Sequence, residues 1–377
     1  MNKLMRKIEA ICLALVCIVM GIVLTACGRD TASEDETEEP QKDRIVIGFS
    51  QLGAESDWRA ANTESMKTVF SQENGYELIF EDAQQKQSNQ ITSVRNFIQQ
   101  EVDYIVIAPV TETGWDTVLK EAKDAGIPVI IVDRRVDVSD EDLFTCWVGS
   151  DFELEGRKMA EWLNAFSVNR NIAPENIHIA NIQGTIGATA QIGRSQGLRD
   201  GATKYGWDFL AEVPGEFTKA MGYEAMEGLL RDYPSINVVY CENDNEAFGA
   251  IEAITAAGRN VGSDIAGGDI MILSFDGVKE EALSDVIEGK IACIGECNPL
   301  HGPRVESIIS MLELGKHPQK YTFVDEEIFS ADSDIPTLLI DNKVYNVVTL
   351  TPEYVAERAK LFNVGSYNST NQSPDAY

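Results

Sequence analysis

Apolar residues run without a break from about Ala10 to Leu24, vanish between 28 and 43, and then return in short regular bursts. The bursts are of two kinds. Short β-branched runs read as strands at 45–50, 76–80, 104–108 and 128–132. Between them, apolar residues at helical spacing predict helices over 57–74, 88–100 and 115–125. In the second of these, Ile91, Val94, Phe97 and Ile98 share one face, and Gly75 and Gly126 follow the outer two. A second series continues the alternation. It predicts strands at 177–182, 209–213, 238–241, 270–275 and 292–296, with helices over 155–166, 188–205, 220–232, 246–257 and 278–288. Strands that alternate with helices imply parallel sheets covered on both faces. Two such series predict two α/β lobes of similar build, each a doubly wound parallel sheet.

The first apolar run follows Lys3, Arg6 and Lys7 and ends in Leu24-Thr25-Ala26-Cys27. A basic start, an apolar middle and small residues before a cut site describe a secretory signal peptide over 1–27. The final four residues resemble a bacterial lipobox, which implies that Cys27 is lipidated and anchors the mature chain to a membrane. At about 15 residues the run is shorter than the ~20 that span a bilayer; an uncleaved anchor is the alternative. Residues 28–43 are acidic and lack periodicity, as expected of a solvated tether. Both readings place the rest of the chain outside the cytoplasm.

Charge and cysteine content narrow the function. The formal net charge is −30, which repels nucleic acid and anionic lipid, so no nucleic-acid partner is expected and lipid alone must provide the anchor. Beyond Cys12, Cys17 and Cys27, the cysteines are Cys146, Cys241, Cys293 and Cys297. Their spacing fits no zinc pattern, and a chain of this size needs no disulfide staples. They read as buried free thiols, with a Cys293–Cys297 bridge as the alternative. The three histidines, His178, His301 and His317, are scattered, so no metal is expected.

Polar residues gather just after the predicted strands, where open parallel sheets bind ligands. Trp58 and Arg59 follow the first strand, and Asp133 and Arg134 the fourth. Arg194 lies early in the helix after Gly184-Thr185, and Phe217, Asn243, Asp276 and Glu296 follow later strands. Singly, each has a plainer role as a cap, a turn or a core aromatic. Together they suit a sugar. Aromatics cover its C–H faces, while carboxylates, carboxamides and guanidinium groups hydrogen-bond its hydroxyls.

These positions carry a resemblance. The chain resembles periplasmic binding proteins of the ribose/galactose type, the substrate-capturing subunits of sugar ABC transporters, over roughly 44–350. Val132-Asp133-Arg134, Asn243-Asp244 and Ser274-Phe275-Asp276-Gly277 match that family's ligand positions. Within the family the similarity is greatest to galactofuranose binders. It is carried by the segment Gly48 to Ala61, which contains Glu55, Trp58 and Arg59, and by Gln84-Gln85-Lys86-Gln87, Ile107-Ala108-Pro109-Val110 and Gln183 to Ala188. Arg135 departs from the pattern. The resemblance implies the type I periplasmic binding protein fold. It places an N-terminal lobe at 44–149 plus 298–330, a C-terminal lobe at 150–297 plus 331–350, and a helix with a polar tail at 351–377. Three crossing segments are expected near 148–151, 296–299 and 330–334. The expected ligand is a monosaccharide held by Glu55, Trp58, Arg59, Asp133, Arg134, Arg194, Phe217, Asn243, Asp276 and Glu296. The expected partners are ABC permease subunits, with no cofactor and a monomeric state.

An enzyme is the rival from another class. No histidine lies near a Gly-x-Ser-x-Gly elbow, and Gly184-Thr185-Ile186-Gly187 lacks the spacing and lysine of a phosphate loop. A lipoprotein that reports sugar to a membrane receptor or kinase is the second alternative, and sequence does not separate it from a transport subunit.

Overall fold

The computed structural model describes residues 44–362. The expected signal segment, Cys27, the acidic tether and the tail beyond 362 lie outside the described residues. No helix among the described residues is long and apolar enough to cross a membrane.

One sheet contains β1 (Ile45–Gln51), β2 (Tyr76–Asp82), β3 (Tyr104–Ile107), β4 (Val129–Val132), β5 (Cys146–Gly149) and β11 (Tyr321–Phe323), in the order β11-β5-β4-β3-β1-β2. Every neighbouring pair is parallel. All of β4 is buried: Ile130 and Val132 enter one apolar cluster, Val129 and Ile131 the other. Burial on both faces explains why the strand reads as an unbroken apolar run. Helices α1 (Asp57–Val69), α2 (Gln87–Gln99) and α3 (Asp116–Asp124) make the crossovers. The first helix stops at Val69 rather than at 74. The Asn74 carboxamide donates to the carbonyls of Thr68 (3.1 Å) and Val69 (3.0 Å), satisfying the helix end.

The second sheet contains β6 (His178–Gln183), β7 (Asp208–Pro214), β8 (Val238–Cys241), β9 (Met271–Asp276), β10 (Cys293–Glu296), β12 (Ile328–Ser330) and β15 (Val348–Thr349), in the order β15-β12-β10-β9-β8-β6-β7. Its helices are α4 (Phe152–Asn169), α5 (Thr189–Tyr205), α6 (Lys219–Asp232), α7 (Asp244–Ala256) and α8 (Glu280–Ile287). Helix α9 (Gly302–Glu313) returns to the first sheet, where Val305, Ile308 and Ile309 join its core. The hairpin β13 (Thr337–Ile340) and β14 (Lys343–Asn346) precedes α10 (Pro352–Phe362).

Three features depart from the sequence-based expectation. Strand β5 and everything from α9 to β15 were not foreseen as elements. Strand β12 runs antiparallel to β10, so the second sheet is not wholly parallel. The third crossing lies at 324–327 instead of 330–334, because Ile328–Ser330 pairs with Gly295, Ile294 and Cys293. One cause underlies the last two. The strands of both sheets run toward the space between the lobes, so a chain that leaves β11 there enters the second sheet running away from it.

Candidate ligand-binding cleft

The carboxyl ends of the two sheets face a common cleft, and the polar loops after the strands line it. Nine of the ten expected ligand residues line one cavity, whose empty space counted with the solvent at its mouth is about 290 Å³: Glu55, Trp58, Arg59, Asp133, Arg134, Arg194, Phe217, Asn243 and Asp276. Ser56, Phe152, Ala190 and Cys297 complete it and were missed. Phe152 opens α4 at the first crossing and Cys297 sits in the second. No local pattern distinguishes either from an ordinary core residue.

Glu296 is the exception. Its carboxylate accepts from Arg358 Nη2 of α10 (2.5 Å) and from the Glu327 backbone N–H (2.9 Å), and it does not line the cavity. It holds the C-terminal helix and the third crossing against the end of β10.

On the first lobe, Ser56 caps α1 by accepting from the Arg59 N–H (3.2 Å), which places Trp58 and Arg59 in the first turn at the cleft. The Trp58 indole N–H donates to the Cys297 carbonyl (2.7 Å). Arg59 lies over the Trp58 ring, 4.6 Å from its centroid, and donates to Asp133 (2.6 Å) and Glu55 (3.2 Å). Arg134 donates to the Val110 carbonyl (2.8 Å) and to Glu55 (3.3 Å). Burial opposes ionisation of Asp133, yet Arg59 and Arg134 outweigh it and hold the carboxyl below its usual range. Two acids and two guanidinium groups thus form a chain, Asp133–Arg59–Glu55–Arg134, and the buried Glu55 Oε2 meets no donor among the described residues.

On the second lobe, Arg194 donates to Glu155 (2.7 Å), to Asp276 (3.4 Å) and to the Glu242 carbonyl. Burial pushes Asp276 well above the usual carboxyl range, with Arg194 opposing the shift. Asn243 caps α7 through its side-chain oxygen, which accepts from the Glu246 N–H (2.8 Å), while its NH2 donates to the Phe217 carbonyl (3.0 Å). Burial also pushes the Cys297 thiol well up, so it stays protonated.

Three lining residues sit in the left-handed backbone region: Asp133 (φ 63°), Phe217 (φ 60°) and Asp276 (φ 100°). That conformation is costly without glycine and clusters where side chains must be aimed. Gly184 makes room for one of them: a Cβ there would lie 1.9 Å from the Phe217 ring.

The lobes are closed on each other. The Arg134 guanidinium of the first lobe lies 5.4 Å from the ring centroid of Phe217 in the second. At one side of the mouth, the Thr189 hydroxyl donates to Glu112 (2.7 Å) and accepts from the Arg135 N–H (2.8 Å). At another, Asp57 pairs with Asn245 through its N–H (3.1 Å) and carboxylate (3.2 Å), and with Lys279 (3.1 Å). Sequence reading missed these latches, because each is half of a pair formed only on closure. The four cysteines among the described residues are free and buried.

The cavity between the lobes is small and lined by polar and aromatic groups from both of them. Its aromatic faces and paired charges can grip a polyhydroxylated molecule from both sides.

Comparison with known proteins agrees with this geometry. The model of the periplasmic binding protein domain matches residues 47–288. The galactofuranose-binding protein of Escherichia coli (strain K12) is 36% identical over 294 residues, covering 77% of this chain and 89% of the relative. A Mycobacterium smegmatis protein solved with β-D-fucofuranose is 39% identical (TM-score 0.71), covering 76% of this chain and 91% of that one. The periplasmic component of the arabinose ABC transporter of Shewanella sp. ANA-3, solved with α- and β-L-arabinofuranose, is 41% identical (TM-score 0.69), covering 77% and 93%. With its two lobes, crossing segments and shared cleft, the chain belongs to the periplasmic binding protein family.

Proposed function

We propose that the protein is an extracytoplasmic lipoprotein that captures a monosaccharide in its furanose form by lobe closure and delivers it to an ABC permease. The observation that carries this reading is the cavity itself. Arg134 and Arg194 reach it from opposite lobes, each beside a carboxylate, with Trp58 and Phe217 as apolar walls. Paired charged hydrogen bonds to vicinal hydroxyls, with an aromatic against the ring, are what sugar recognition requires. Three relatives named or solved with galactofuranose, fucofuranose or arabinofuranose support the smaller ring. Galactofuranose or a close analogue is the favoured ligand.

A ligand that binds only the folded state stabilises it by ~2.7 kcal/mol at a hundred times its dissociation constant. D-Galactose and L-arabinose, whose solutions contain furanose forms, are expected to raise the melting temperature and shrink the radius of gyration. Methyl pyranosides of the same sugars, amino acids and nucleotides are expected to do neither. Equal shifts with the pyranosides would remove the ring-size reading, a shift only with a non-sugar would remove the sugar, and conversion of the sugar to product would make the protein an enzyme.

Anchoring has its own test. Cys27→Ser is expected to abolish incorporation of labelled fatty acid and to release the protein from the membrane fraction. A variant that stays membrane-bound would favour the uncleaved anchor.

A further inference from the structure

Behind the cleft, the three crossings converge on one side chain. Glu326 lies in the third, and its Oε1 accepts from the Ser150 hydroxyl of the first (2.6 Å) and from the Asn298 N–H of the second (2.8 Å). Its backbone carbonyl accepts from Lys158 of α4 (2.7 Å). Facing it is Glu155, also of α4, whose carboxyl lies within hydrogen-bonding reach. One oxygen of each, with the Cys297 sulfur, lies within 4.8 Å of the other two. Glu155 Oε2 accepts from Arg194 (2.7 Å), but its Oε1 is buried and meets no donor among the described residues.

Two ionised carboxylates held this way would repel each other, and one buried oxygen would go unsatisfied. A single proton between them removes both costs. We propose that Glu155 and Glu326 share one proton, and that this carboxylic acid–carboxylate pair joins the cavity-lining Arg194 to all three crossings between the lobes. Both are positioning residues: Glu155 fixes the guanidinium that lines the cavity, and Glu326 ties the segments about which the lobes turn.

The surroundings fit a proton better than a metal. Arg194 from α5 and Lys158 from α4 already press positive charge on the pair, and a divalent cation would be repelled by both. Asp276 at the end of β9, Glu296 of β10 and the neighbouring Cys297 thiol face it from the other elements, and all three disfavour a second negative charge. Burial, then the facing Glu155, raises Glu326 well above its ordinary value of 4.5.

The sign of the pH dependence follows. Above the ordinary glutamate value the unfolded chain has released its proton, while the folded pair retains one. The folded state therefore binds more protons, and stability declines as pH rises until the folded pair itself ionises. Glu326→Gln supplies the same bridging hydrogen from an amide and takes up no proton.

The test uses the ligand-free, full-length protein, so it stands or falls apart from the sugar reading. Unfolding constants are measured between about pH 5 and pH 8 for the wild type and for Glu326→Gln. Buried acids away from the pair contribute equally to both proteins and cancel. The wild-type constant is expected to change with pH more steeply than the variant's, by up to about tenfold per pH unit, the signature of one proton. Glu155→Gln is read the same way as a second variant. Coincident slopes would overturn the proposal. So would failure of both variants to fold, because an amide provides the bridging donor. Metal analysis finding one bound cation in the wild type and none in Glu326→Gln would replace the proton by that cation.

Discussion

Arg194→Ala is expected to weaken sugar binding by more than a hundredfold and to lower the melting temperature of the empty protein. The Arg194 side chain is 2% exposed, yet it lines the cavity and donates to Glu155, Asp276 and the Glu242 carbonyl. Charged hydrogen bonds of this kind contribute about 1.5–3 kcal/mol each. Losing one to the sugar and misplacing Asp276 together exceed the ~2.8 kcal/mol that a hundredfold loss in affinity requires. Breaking a buried ion pair by removing one partner costs roughly 3–5 kcal/mol in stability. Lysine should rescue poorly, because a single ammonium cannot span three acceptors in one plane. Arg134→Ala removes one link to Glu55 and one to a carbonyl, so a loss of about ten- to a hundredfold is expected there. Calorimetry on the folded variants reads both numbers. Unchanged affinity in Arg194→Ala would remove it from the ligand contacts and leave it a purely structural cation.

The second large effect is expected at Trp58. Its indole packs with Phe152, Phe217, Val278 and Cys297, which brings together the first lobe, the second lobe and a crossing segment. It supports Arg59 from below, meets His301 edge-on at 5.8 Å, and donates to the Cys297 carbonyl. Truncating a buried tryptophan to alanine costs about 3–5 kcal/mol. Trp58→Ala is therefore expected to lower the melting temperature of the free protein and to abolish most of the sugar-induced rise. Trp58→Phe separates the two roles. It keeps an apolar face for the sugar but loses the indole donor, so it should retain binding while losing about 1 kcal/mol of stability. Thermal unfolding with and without sugar distinguishes them. Full retention of the sugar-induced rise in Trp58→Ala would mean that the indole does not touch the ligand.

Much of this architecture was legible because parallel sheets write themselves plainly. Strands such as Val129–Val132 are buried on both faces, so they appear as uninterrupted β-branched runs between helical repeats. The same burial makes the polar residues at the carboxyl end of each strand conspicuous. That is why Asp133, Asn243 and Asp276 could be picked out from one chain. Helix α9 was not foreseen, although it was readable: Pro303 stands at its start and Val305, Ile308 and Ile309 follow at helical spacing. Strands β11, β12 and β15 were not. They have two or three residues each, too few to show a period, and they exist only because existing sheet edges accept them.

The sequence by itself determined the α/β class, the two-lobed organisation and the strand ends that line the cleft, because these depend on local periodicity and on polarity at fixed positions. Tertiary structure alone decided how those groups are used. Glu296 looks like its neighbours in the chain, but Arg358, far along in α10, captures it and draws it out of the cavity. Phe217 reaches the cleft because Gly184, in a different loop, leaves space for its ring. Thr189, Glu112, Asn245 and Asp57 become latches only where the two lobes meet. Glu155 and Glu326 become a pair only where three crossings converge. Such contacts join residues remote in sequence, and no local pattern records them, because the energy of each depends on a partner that only the folded chain brings near.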